Sequence, residues 1–217
     1  MRSPDAKFGY GAGSRQEMIS FVPPSAIDVL DVGCGAGGFG TALRQARPAI
    51  SLVGIEPDVA VMSDAYDLVV SGAFPAGLET GDQRFDCIVF NDSLEHMVDP
   101  WSALQAAGRL LSRGGHVVAS IPNVRNLRTL YQLAIKGDFA YEESGVLDRN
   151  HLRFFTPLSM VRLFNEAGFE VVGCEPINLP TRGRRGTARR MALGKLDRLL
   201  AEQFAVVAAL DPRASSN

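Results

Sequence analysis

The stretch "VLDVGCGAGGFG", residues 29–40, decides how this chain is read. An apolar run carries an acid, Asp31, and five glycines then fall within the eight residues 33–40. "IDVLDV", residues 27–32, reads as a buried strand. The glycines form a turn before a helix that runs through about Arg47 and stops near Pro48. Gly33 and Gly35 let backbone N–H groups approach a ligand without a Cβ in the way, and they permit positive φ. "SLVGIE" is a second strand, and Glu56 at its tip is placed to accept hydrogen bonds from two ribose hydroxyls. Strand, glycine turn, helix and acid in that order predict a nucleotide-type ligand.

The rest of the chain extends the pattern. "YDLVVSG" reads as a third strand, "FDCIVFN" as a fourth and "HVVASIP" as a fifth. Between the last two, "DPWSALQAAGRLLSRGG" is a helix with Asp99 at the N-cap, Pro100 in the first turn and Gly114 at the C-terminal cap. Trp101, Leu104, Leu110 and Leu111 give it an apolar face. A second helix, Thr156 to Gly168, has the same punctuation, and "FEVVGCEPI" and "FAVVAAL" are two further strands. Alternating strands and helices predict right-handed βαβ units around a parallel sheet covered on both faces, an α/β Rossmann-like doubly wound fold. One domain over 1–217 is expected, with an N-terminal helix or cap in 1–25. Connections this long are usually functional, so 122–155 is read as a lid and 180–200 as a basic helical insertion.

Composition narrows the function. Of 217 residues, 46% are apolar and 21% charged, as in a globular protein. The net charge of −2 gives no electrostatic reason to expect nucleic acid. Cys34, Cys87 and Cys174 lie far apart without metal-ligand spacing, which suits a reducing compartment. Met1 to Arg15 lacks a signal-peptide core, and no uncharged apolar stretch approaches the roughly 20 residues of a membrane span. The expectation is a cytoplasmic protein, monomer or homodimer, with no integral membrane segment.

Two cofactors compete for the glycine turn. Gly33, Gly35 and Gly38 satisfy G-x-G-x-x-G, and Glu56 follows at about the spacing of a dinucleotide site. Asp31 counts against a dinucleotide, because a carboxylate two residues before the first glycine crowds a pyrophosphate. It suits a ligand with a cationic head, such as the amino-acid end of S-adenosylmethionine. Tyr131 and Lys136 are five apart, not the four of the short-chain dehydrogenase pair, and the chain has no room for a separate substrate domain.

The turn resembles the first motif of class I S-adenosylmethionine-dependent methyltransferases, with Asp31, Gly33, Gly35 and Gly37 at its D-x-G-x-G-x-G positions. "FDCIVFNDSLEHMVDPWSALQAAGRLLSRGGHVVASIPN" resembles the family's fourth and fifth strand region. "LDRNHLRFFTPLSMVRLFNEAGFEVV" is similar to a branch holding ubiquinone-type and glycan or O-antigen-associated enzymes. The resemblance implies a seven-stranded sheet with an antiparallel last strand. It also implies a cofactor site of Asp31, Gly33, Cys34, Gly35, Gly37, Glu56, Pro57, Ala73, Phe74, Asn91 and Asp92. The family's acid at the adenine is replaced by Ser71, Gly72 and Ala73, so a backbone N–H, or stacking by Phe74 or Met62, takes over that contact.

A methyl acceptor belongs past strand four or under the lid. His151, with Asp148 to orient it, is the first candidate for a base, and His96 the second. Each has a plainer reading: His96 packs the short helix after strand four, and His151 bonds to backbone. Asp92, Glu95, His96 and His151 could together bind a divalent cation, but they have no strict ligand spacing and no metal is assigned. The family reading puts Tyr131 and Tyr141 over the acceptor, with Arg153 beside it. "TRGRRGTARRMALGKLDR" is either a solvated face or a basic rim for a phosphate-bearing acceptor. The activity implied is methylation of a small molecule or glycan, on a sugar or related hydroxyl. N- or C-methylation of a small metabolite, or an inactive S-adenosylmethionine-binding subunit, are the alternatives.

Overall fold

β1 (Asp28–Val32) is buried along almost its whole length, because it lies near the middle of a seven-stranded sheet. The computed structural model describes residues 13–58, 63–78, 83–179 and 196–212. The other strands are β2 (Ser51–Glu56), β3 (Leu68–Ser71), β4 (Phe85–Asn91), β5 (Leu111–Pro122), β6 (Phe169–Ile177) and β7 (Gln203–Leu210). Their order is β3-β2-β1-β4-β5-β7-β6. β1 to β5 pair in parallel, and β7 runs antiparallel between β5 and β6. The expected sheet with its antiparallel last strand is therefore what forms.

Side chains on β1 alternate between two cores, as a period of two requires. Leu30 and Val32 face one with Val53, Ile55 and Ile88, while Val29 faces the other with Leu52 and Cys87. The first is covered by α3 (Pro100–Leu110) and α5 (Pro157–Glu166), through Leu104, Leu163 and Phe164. The second is covered by α2 (Gly38–Ala46) through Phe39 and Leu43, and by Met18 of the short α1 (Gln16–Ile19). Because β1 lies between β2 and β4, the chain reverses direction of winding there, and the carboxyl ends of β1 and β4 flank a crevice.

Caps fix the helices where the sequence placed them. Asp99 Oδ1 accepts from Ser102 N at 3.0 Å with Pro100 in the first turn, and Thr156 and Ser159 form a reciprocal capping box. The C-terminal end of α3 differs from expectation. The helix stops at Leu110, and Gly114 (φ +81°) lies in an irregular start of β5 instead of at the cap. Leu111 pairs with Phe85 and His116 with Cys87, so residues 112–115 bulge opposite Asp86. Burying Leu111 beside Phe85 at the start of β5 overrides another helical turn.

The 122–155 insertion begins with α4 (Leu127–Ile135) and continues as irregular chain, tied at its base by a bridge between Asn123 and Phe155. Of the basic insertion, residues 180–195 lie outside the described residues, and so do positions 1–12. Its described end is α6 (Asp197–Leu200).

Candidate active site

A cavity of about 1160 Å³ opens over the carboxyl ends of β1, β2 and β4. Asp31, Gly33, Cys34 and Gly35 line it from the turn, and Glu56 and Pro57 from the tip of β2. Ala73 and Phe74 line it after β3, with Asn91, Asp92 and His96 from the end of β4 onward. Gly37 does not. It opens α2 at φ +80°, and a Cβ there would lie 2.4 Å from Ser63, so it serves the close packing of the helix. Glu56 braces the turn, accepting from Gly35 N at 2.9 Å and from Asp58 N at 3.1 Å.

Asp31 is 1% exposed. Tyr66 OH donates to its Oδ2 at 2.5 Å, and its Oδ1 has no partner. Burial pushes its carboxyl up to about 7, against the lowering effect of the Tyr66 bond. Burial likewise pushes the Cys34 thiol up to about 12, which keeps it neutral. Both side-chain polar atoms of Asn91, Ser93 Oγ and Arg15 Nε are also buried without partners, and these three residues line the cavity with Asp31. Native proteins rarely leave such groups unpaired, so this wall is shaped for a ligand rich in donors and acceptors.

The acid–base candidates divide into a wall and a layer behind it. His96, in a single 3₁₀ turn (Leu94–His96), lines the cavity, with its Nδ1 3.1 Å from Asn150 O. His151 is buried behind it, outside the cavity lining, with ring centroids 4.7 Å apart. Its Nδ1 lies 3.2 Å from Val146 O and its Nε2 lies 4.0 Å from Glu95 Oε1. Burial and the neighbouring His96 both lower its pKa, so it is a neutral ring at neutral pH. Asp148 does not orient that ring as expected. Its Oδ1 accepts from Asn150 N at 2.8 Å, because an Asx turn satisfies it locally. Glu95 is buried with neither carboxyl oxygen partnered, and burial, then the charge of Asp92, hold its pKa well above the usual range. Ligand atoms of Glu95, His96 and His151 lie within 4.8 Å of one another. One carboxylate with two imidazoles suits zinc or iron better than magnesium. Asp92 is not part of this cluster and is engaged by Arg15.

The expected acceptor residues are elsewhere. Tyr131 and Tyr141 are 52% and 56% exposed on the insertion and do not line the cavity. Arg153 is a clamp, donating from Nε to Val98 O at 3.2 Å and lying over the Trp101 ring at 5.7 Å.

A family profile described as a methyltransferase domain matches residues 13–173. The chain belongs to this family. Its domain is of the class I S-adenosylmethionine-dependent methyltransferase type. The chain is 25% identical over 153 residues to a ubiquinone biosynthesis O-methyltransferase of Cupriavidus pinatubonensis, covering 66% of this chain and 60% of the relative. It is 34% identical over 118 residues to the same-named protein of Alkalilimnicola ehrlichii, covering 50% and 46%. The match thus spans about half the length of these relatives. Among solved structures, an S-adenosylmethionine-dependent methyltransferase of Archaeoglobus fulgidus superposes with TM-score 0.60 at 19% identity, covering 85% of this chain and 86% of that one. The CcbJ methyltransferase of Streptomyces caelestis gives 0.62 at 16%, covering 92% and 89%. At such identities these two show the fold.

The methyltransferase wall fits S-adenosylmethionine at the atoms left unpartnered. The carboxylate of Asp31 suits an ammonium group, and the guanidinium of Arg15 a carboxylate. Sequence reasoning missed Arg15, which packs by its NH2 against Asp92 (2.9 Å) and Ser120 Oγ (2.7 Å), residues far along the chain. It missed Tyr66 too, whose hydroxyl meets Asp31 only after 35 residues of chain return to the sheet. No local signal marks either. Of the two residues expected to stack on adenine, Phe74 stands edge-on to Phe90 at 5.6 Å and lines the cavity, while Met62 lies outside the described residues.

Proposed function

We propose that this methyltransferase moves a methyl group from S-adenosylmethionine to a hydroxyl oxygen of a small-molecule or glycan acceptor, with His96 accepting the proton. The observation that carries this reading is the position of His96, which shares a cavity wall with Asp31, Gly33 and Asn91. With Nδ1–H donating to Asn150 O, Nε2 is the ring nitrogen left without a proton. The sulfonium supplies an already activated methyl, so the chain's own work is alignment and proton removal. The acceptor oxygen bonds to the methyl carbon as the carbon–sulfur bond breaks, and the hydroxyl proton passes to His96 Nε2. Asp31 and Arg15 anchor the amino-acid end, and Glu56 receives the ribose.

Oxygen is favoured because a hydroxyl needs a base as it is methylated, and because the relatives quoted above are named O-methyltransferases. Residues 147–172 resemble a branch that holds both ubiquinone-type and glycan-associated enzymes, so the acceptor class in this reading spans both. The test supplies methyl-labelled S-adenosylmethionine with glycolipid and small-metabolite fractions. Label recovered after hydrolysis as an O-methyl sugar supports the proposal, and label on nitrogen or carbon overturns it.

A further inference from the structure

Gly40 and Gly54 do not line the cavity, yet neither position has room for a side chain. Gly54 lies in β2 as the register partner of Asp31 in β1, and Gly40 lies in the first turn of α2. A Cβ on Gly40 would fall 2.3–2.6 Å from the ring and hydroxyl of Tyr66, and one on Gly54 would fall 3.1–3.2 Å from the same ring. A Cβ on Gly37 would also lie 3.2 Å from it. Glycine lets other atoms come this close because it has no Cβ. The three glycines thus form a slot between α2 and β2, and one aromatic ring fills it.

The chain on both sides of that ring is pinned. Arg44 of α2 donates from Nε to Ala65 O at 3.0 Å and pairs with Asp67 Oδ2 at 2.8 Å. Leu52 N donates to the same Asp67 oxygen at 2.7 Å, and Asp67 N donates to Leu52 O at 2.8 Å. Tyr66 therefore crosses β2 where β2 has no side chain, and its hydroxyl reaches Asp31 Oδ2 at 2.5 Å. A phenylalanine would fill the slot as well, so packing does not account for the hydroxyl. What the hydroxyl adds is a donor to one of the two oxygens of a buried acid. A carboxylate turns readily about its last bond, and a fixed donor stops it. The other oxygen, Oδ1, is then buried without a partner. Glu56 and Cys34 also face Asp31. The charge of Glu56 disfavours the carboxylate and the Cys34 thiol is neutral, so Tyr66 is the one of the three that favours it. Burial, then the charge of Asp31, push the Tyr66 hydroxyl far up, so it stays a donor.

We propose that Tyr66 is a positioning residue for S-adenosylmethionine, holding Asp31 Oδ2 so that Oδ1 is the atom presented to the ammonium group. This rests on the reading of Asp31 as an anchor of the amino-acid end. It adds a side chain that does not line the cavity and acts on the cofactor through another. It also accounts for Gly40 and Gly54, which leave the ring its path to β1.

The test is calorimetry of S-adenosylhomocysteine with wild type, Tyr66→Phe, Asp31→Asn and the double variant, from about pH 6 to about pH 9. Phenylalanine keeps the ring in its slot, and a cooperative urea transition confirms that each variant folds. Wild-type affinity should rise with pH through about 7. Without its donor the Asp31 carboxylate forms less readily, so Tyr66→Phe should move that rise to higher pH. It should bind on the order of fivefold more weakly at about pH 7, and the loss should shrink by about pH 9. In the Asp31→Asn background Tyr66→Phe should cost little, because its effect passes through the carboxylate. A general disturbance of the turn would cost the same in both backgrounds and at every pH, and that outcome overturns the proposal. A sloped wild-type profile that Tyr66→Phe leaves in place also overturns it, with Asp31 still the anchor. A flat wild-type profile removes both the anchor and the residue that positions it.

Discussion

Replacing Asp31 with asparagine tests the site through its pH dependence. The carboxyl titrates near 3.8 in the unfolded chain and near 7 in the ligand-free fold, because burial disfavours its ionised form. Its contribution to stability is therefore fully present below the unfolded value and is lost as pH rises through about 7. At about pH 8 the difference amounts to about 4 kcal/mol at most, from about 1.4 kcal/mol per unit. Asp31→Asn removes that penalty, so the ligand-free variant should unfold at higher urea than wild type at about pH 8 and lose this advantage near pH 4. Ligand binding should show the opposite sign. An ammonium group at Asp31 requires the carboxylate, so wild-type affinity for S-adenosylhomocysteine should fall about tenfold from about pH 8 to about pH 6. Near pH 7 about half a proton should be released per ligand bound, because the carboxyl is then half protonated. Calorimetry in buffers of different ionisation enthalpy measures both quantities. Asp31→Asn should bind more weakly at pH 8 with a flat profile over the same range. A wild-type affinity that is flat with pH, or a variant that keeps the full slope, would refute the placement of the cationic head at Asp31.

His96→Ala should lower kcat by on the order of 10²-fold or more with cofactor affinity unchanged, and unaltered turnover would remove it as the base. His151→Ala, one layer further back, should cost less turnover than His96→Ala in the same assay, and the reverse order would return the base to His151. Arg15→Met should weaken S-adenosylhomocysteine binding at least about tenfold, since a charge-assisted contact is worth roughly 1.5–3 kcal/mol, and calorimetry reads it. In Gly40→Ala the new Cβ would meet the Tyr66 ring at 2.3–2.6 Å. Tyr66 must then leave Asp31, which should destabilise the fold by about 1–3 kcal/mol in urea melts.

The sequence by itself determined the sheet, the glycine turn and the caps at Asp99 and Thr156, because each depends on neighbours within a few residues. Asp31, Gly33 and Glu56 were legible for that reason: a strand end, a turn and the next strand end fix them locally. The same local logic failed at Gly114, where pairing of Leu111 with Phe85 across the sheet cut the helix short. Only the tertiary structure decided which histidine faces the cavity. His96 and His151 are 55 positions apart, and their order from the wall depends on how the insertion folds back, with Leu152 N and Arg153 N donating to Glu95 O at 2.8 and 3.0 Å. Arg15 and Tyr66 entered the site in the same way, over chain separations of 77 to Asp92 and 35 to Asp31. Pattern and propensity report the period of an element and its ends. Which side chains then share a buried volume is set by packing between elements, which no single segment encodes.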